Sequence, residues 1–88
     1  DVNAIPVARH LSHLPIVADP SHGVGEAQYV GAVAKAAIAA GAQGVMLEVH
    51  LEPAKAWSDG QQSLLPKEFA ILVKEMKQVA LATQAVFA

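Results

Sequence analysis

The chain has 88 residues, 53 % of them hydrophobic and 16 % charged, with a net charge of −2 and no cysteine. A length of this order allows one small domain at most, burying about 60–65 % of the surface that its unfolded chain exposes. The lack of cysteine excludes a disulfide framework, and six scattered cations (Arg9, Lys35, Lys55, Lys67, Lys74, Lys77) exclude a basic patch for nucleic acid or an acidic membrane.

The high apolar content suits elements buried on more than one side and leaves room for a missing partner surface. No signal peptide opens the chain. The longest apolar stretch, residues 30–42, is broken by Lys35 and is too short to span a bilayer. A soluble cytoplasmic protein is the expectation. The first residue is Asp1 rather than methionine, which points to a fragment or a processed piece.

In chain order, "NAIPVARHLSH" (3–13) predicts a short helix with Asn3 as N-cap and Pro6 in the first turn. "PIVAD" (15–19) is a compact apolar run bounded by prolines, as in a buried strand. "GEAQYVGAVAKAAIAAGA" (25–42) predicts a helix. Its residues Val30, Val33, Ala34, Ala37 and Ile38 recur at helical spacing on one face, and Gly41 is its C-cap. "GVMLEV" (44–49) is a second strand, apolar on both faces until Glu48. After a polar loop (50–65), "PKEFAILVKEMKQVALATQ" (66–84) predicts a last helix buried along Phe69, Leu72, Val73, Met76 and Ala80. Pro66 suits its first position, but Leu65 cannot cap, so that end is expected to fray. The order predicts parallel strands with a right-handed crossover. Two strands alone make no stable sheet. The segment reads as about a quarter of a (β/α)8 barrel, or as a slice of an open α/β sheet.

Parallel strands bring "DPSH" and "EVH" to the same carboxyl edge of the sheet, where α/β barrels place their chemistry. His22 follows the first strand and Glu48 closes the second. Met46, Glu48 and His50 share a strand face by the period of two. The loop adds Asp59 in "SDG". One imidazole and two carboxylates form a donor set for Mn²⁺, Fe²⁺ or Zn²⁺. Taken singly, the same residues read as a surface histidine, a paired glutamate and Asp-Gly turn chemistry. From pattern alone, both readings stand.

"LPIVADPSHGVG", "AAIAAGAQGVMLEVHLEPAKAWSDGQQSL" and "PKEFAILV" together resemble the carboxyl-terminal part of the type I 3-deoxy-D-arabino-heptulosonate 7-phosphate (DAHP) synthases. That branch also includes the 3-deoxy-D-manno-octulosonate 8-phosphate synthases. The resemblance covers essentially all 88 residues. It implies a (β/α)8 barrel, with this chain as helix 6, strand 7, helix 7, strand 8 and helix 8. It implies His22, Glu48 and Asp59 as ligands of an essential divalent metal. The family's fourth ligand is a cysteine on an early strand, and neither is present here.

The implied reaction condenses phosphoenolpyruvate with erythrose 4-phosphate at the entry to the shikimate pathway, releasing inorganic phosphate. Both substrates need Arg and Lys for their phosphates, and in the family these come mainly from upstream strands. Lys55 is the cation nearest in sequence to the strand-end motifs. Glu26 stands where the family usually has a basic residue, so "Gly23-Val24-Gly25" reads as a turn and not a phosphate cradle. Trp57 reads as a loop anchor. His50 is the candidate catalytic residue, with support of the metal ligands as its competing role. Asp19 and Ser21 would orient His22 or the turn, and His10 and His13 are structural, near a helix carboxyl end. The exposed barrel edges predict self-association, hence a homo-oligomer. An octulosonate synthase or related metal-dependent barrel aldolase, and a non-catalytic, self-associating truncated fragment, are the rival readings.

Overall fold

A computed structural model describes residues 2–20, 27–50 and 64–83, with Ala27 described by its backbone alone. Its elements run helix, strand, helix, strand, helix: α1 (Ala4–Leu11), β1 (Val17–Ala18), α2 (Ala27–Ala40), β2 (Gly44–Val45) and α3 (Pro66–Ala82). The strands pair in parallel, with Val17 opposite Gly44 and Ala18 opposite Val45. The expected α/β order and strand direction are therefore present. Both strands are shorter than predicted. Only two residues of each satisfy the ladder, although Met46 N–H still donates to the Ala18 carbonyl at 2.8 Å.

α2 is the central element. Val30, Ala34 and Ile38 are buried against Leu72, Met76 and Ala80 of α3, with Leu64 completing the cluster. A neighbouring part of α2 buries Ala37, with Ala42 just beyond its end, against Ile5 of α1, and Ile16, Ala18 and Val45 pack on that second cluster. The alanines here let backbones approach closely without loss of helix propensity. The predicted apolar face of α2 is the observed one, with Val33 half-buried at its margin.

α2 ends in a Schellman turn. Ala42 N–H donates to the Ala37 carbonyl at 2.9 Å, and Gly41 N–H to that of Ile38 at 3.0 Å. Gly41 has φ +113°, a conformation that L side chains rarely adopt. Arg9 Nη1 donates to the Gly41 carbonyl at 3.2 Å and so ties the end of α1 to this turn. The next residue but one sets the strand register: Gln43 N–H donates to the Ile16 carbonyl at 2.8 Å, and its side-chain oxygen accepts the Ile16 N–H at 2.9 Å.

Five expectations need correction. Asn3 makes no side-chain cap, because its own backbone is already helical (φ −62°, ψ −24°), whereas a capping side chain acts from an extended residue. α1 stops at Leu11, where Ser12 turns extended, so His13 lies beyond it. The start of α3 is held: Glu68 Oε1 accepts the Leu65 N–H at 2.8 Å, satisfying a donor that the leucine side chain cannot serve. Phe69 is 37 % exposed and Met46 53 % exposed, so neither is a core residue among the described ones. The helix predicted over 66–84 ends at Ala82; Thr83 caps it, its hydroxyl donating to the Val79 and Ala80 carbonyls at 3.0 and 3.2 Å.

Candidate functional site

The parallel pairing directs the carboxyl ends of β1 and β2 to the same sheet edge. Asp19 follows β1 directly and is half-buried. Beyond β2 the chain reaches Glu48, half-buried, and His50, exposed. Between them Val49 forms a parallel bridge with Leu64. Leu64 N–H donates to the Glu48 carbonyl at 2.7 Å, and His50 N–H donates to the Leu64 carbonyl at 2.9 Å. These two bonds fix the main chain on either side of Val49, and with it the points from which the Glu48 and His50 side chains leave.

His22 and Asp59 lie outside the described residues, as do Ser21, Glu26, Lys55, Trp57 and the Gly23-Val24-Gly25 stretch. Of the candidate ligands, the described structure therefore positions Glu48, with His50 two residues on. Among the described residues no group of three or more His, Cys, Asp or Glu side chains converges to hold a metal. Glu48, the candidate ligand that is described, offers a carboxylate oxygen, a donor of the kind that Mn²⁺, Fe²⁺ and Zn²⁺ accept.

The described cations stand elsewhere. Arg9 is on α1, Lys35 on α2, and Lys67, Lys74 and Lys77 on α3. Lys35 Nζ lies 3.4 Å from Glu75 Oε1 in a solvent-facing pair between α2 and α3. His10, in the last turn of α1, and His13 beyond it are exposed. An apolar groove of about 570 Å³ opens beside β2, lined by Val45, Leu47, Val49, Phe69, Val73 and Met76 among others. Among the described residues its lining holds no carboxylate or imidazole. Leu64 was not singled out in the sequence. The only signal for it was an apolar pair, Leu64-Leu65, directly before the helix-starting Pro66.

Two parallel strands joined through a helix define an α/β arrangement in which both strands point their carboxyl ends to one sheet edge. The profile of the DAHP synthetase I family matches residues 1–84, and the chain belongs to that family. It is 52 % identical over 80 residues to the phospho-2-dehydro-3-deoxyheptonate aldolase of Thermotoga maritima, covering 91 % of this chain and 24 % of that protein. It is 33 % identical over 89 residues to a 2-dehydro-3-deoxyphosphooctonate aldolase of Rhodopseudomonas palustris, covering 89 % of this chain and 31 % of that one. The crystal structure of the Thermotoga maritima phospho-2-dehydro-3-deoxyheptonate aldolase superposes with a TM-score of 0.95 and 49 % identity, over all of this chain and 26 % of that one. A truncated form of 3-deoxy-D-arabino-heptulosonate 7-phosphate synthase from the same organism gives the same TM-score over 34 % of its length. The chain thus spans between about a quarter and a third of the length of these relatives. No described helix is long and apolar enough to cross a membrane.

Proposed function

We propose that the chain is the carboxyl-terminal segment of a cytoplasmic, metal-dependent 3-deoxy-7-phosphoheptulonate synthase. Joined to the remainder of a (β/α)8 barrel, it takes part in condensing phosphoenolpyruvate with erythrose 4-phosphate at the start of aromatic amino-acid synthesis. In this reading residues 1–88 form one partial-barrel segment: helix 6, strand 7, helix 7, strand 8 and helix 8. The observation that carries it is the family match over residues 1–84, set on a parallel strand pair whose two carboxyl ends share one edge.

His22, Glu48 and Asp59 are the proposed protein ligands of the metal (Mn²⁺, Fe²⁺ or Zn²⁺), with the fourth contributed from outside this chain. When bound, the ion supplies Lewis-acid polarisation of the aldehyde carbonyl and orients the reactants. Glu48 contributes a carboxylate oxygen from a backbone held by Leu64. His50 is the proposed catalytic residue, its imidazole exchanging a proton with the reacting substrate at the same edge. The five described cations all sit on helices. In this reading the two substrate phosphates are met mainly by arginines and lysines from other strands of the whole barrel.

Identity favours the heptulosonate reaction over its octulosonate counterpart, at 52 % against 33 %. By carbon count the two differ only in the aldehyde partner, a tetrose phosphate against a pentose phosphate. Exposed Leu11, Leu14, Val17 and Ile71 favour a homo-oligomer for the isolated chain.

Titration of Mn²⁺ into the chain and into His22→Ala and Glu48→Ala, followed by the electron paramagnetic resonance of free Mn²⁺, tests the ligand set. Each substitution is expected to weaken binding by at least about tenfold, since even supporting residues of metal sites are worth that much. Equal weak binding by all three chains would remove the site.

A further inference from the structure

We propose that Leu64 is a positioning residue, setting the main chain of Glu48 and His50 and thereby the place from which the Glu48 carboxylate is offered; this rests on the metal-site reading above. Three observations converge on it. Leu64 makes both hydrogen bonds of the bridge, donating to the Glu48 carbonyl at 2.7 Å and accepting from the His50 N–H at 2.9 Å. Its side chain is buried in the cluster of Val30, Ala34, Ile38, Leu72, Met76 and Ala80. The next residue is tied to the first turn of α3, where Leu65 N–H reaches Glu68 Oε1 and Phe69 N–H reaches the Leu65 carbonyl.

Residues 46–48, between β2 and the bridge, belong to no regular strand, so the β1–β2 ladder does not extend to Glu48. The bridge holds the Glu48 main chain through its carbonyl, and Leu64 ties the bridge to the helical core. A metal ligand must be held to within about 0.5 Å of its productive place, and groups one step removed from the ion supply much of that restraint. Leu64 performs this through its backbone, while its side chain supplies the anchor.

The test separates backbone from side chain. In a semisynthetic chain the leucine at 64 is replaced by its α-hydroxy acid, which removes the N–H and keeps the side chain. Leu64→Met serves as control, keeping the N–H and approximate volume. The readouts are Mn²⁺ affinity, helix content by circular dichroism, and amide hydrogen exchange at His50. The ester is expected to weaken Mn²⁺ binding by about 10- to 100-fold and to speed His50 exchange, with helix content unchanged. Leu64→Met should keep both the affinity and the His50 protection. An ester chain that binds Mn²⁺ like the parent would overturn the proposal. If the unmodified chain binds Mn²⁺ no better than Glu48→Ala, the metal-site reading falls instead. The positioning role is then decided by exchange alone: faster His50 exchange in the ester supports it, and an unchanged rate refutes it.

Discussion

Replacing Gly41 by alanine should destabilise the chain by about 1.5–3 kcal/mol, most of it from the backbone. An L residue held in the left-handed region costs about 1–2 kcal/mol, and Gly41 has φ +113°. A Cβ at this position would meet Arg9 Cδ at 3.1 Å and Nη1 at 3.2 Å. Arg9 is exposed and flexible, so it can swing away, losing the bond to the Gly41 carbonyl. An exposed hydrogen bond of this kind contributes about 0.5–1 kcal/mol. The backbone term therefore dominates. Urea unfolding of Gly41→Ala, Arg9→Ala and the double variant measures each part. Arg9→Ala should cost no more than about 1 kcal/mol. The double variant should fall short of the sum, because the alanine already displaces the arginine. D-alanine at position 41, which favours positive φ, is the decisive comparison. It should match glycine or exceed it by a few tenths of a kcal/mol, through a smaller unfolded-state entropy. Equal destabilisation by L- and D-alanine would refute the backbone explanation and leave crowding alone.

Other outcomes can be stated with their checks. Met76→Ala should cost about 2–4 kcal/mol in thermal or urea unfolding, the lower part of the large-to-small range being favoured because Met76 also lines the open groove. Gln43→Ala removes the acceptor of the Ile16 N–H and should lose about 1 kcal/mol, with faster hydrogen exchange at Ile16 as its local signature. Glu68→Ala should loosen the first turn of α3 by about 0.5–1 kcal/mol, visible as earlier exchange of the Leu65 amide. Lys35→Ala should change stability by less than about 0.5 kcal/mol at physiological salt, since the Lys35–Glu75 pair faces solvent.

The helices were legible because their burial repeats at helical spacing: Val30, Ala34, Ala37 and Ile38 on α2, and Leu72, Met76 and Ala80 on α3, are the residues that periodicity selects. Gly41 was legible because a chain reversing after a helix needs a residue tolerant of positive φ. The strands were over-read. Apolar runs report which residues are suited to burial, whereas a ladder needs a paired neighbour, and among the described residues β1 and β2 pair with each other over two positions. Val17, Met46 and Phe69, apolar in sequence, are exposed. At the site, the strand pattern put Glu48 at the close of the second strand, whereas β2 stops at Val45 and Glu48 lies three residues beyond it. The Leu64 bridge was not legible, because a contact between residues far apart in sequence leaves no periodic trace. Nor did sequence show that Glu68 would serve the Leu65 N–H, since that bond comes from the side chain three positions on and not from the cap residue.

The central claim is that this chain supplies the metal-bearing end of a heptulosonate synthase. Its most direct measurement is phosphate release by a chimera in which residues 1–84 replace the matching segment of the Thermotoga maritima relative. With phosphoenolpyruvate and Mn²⁺, the chimera should turn over erythrose 4-phosphate in preference to a pentose phosphate. Glu48→Ala in the same chimera should abolish turnover while leaving its unfolding transition in place. A folded chimera that is inactive, that prefers the pentose phosphate, or that works equally well without Glu48 would contradict the claim.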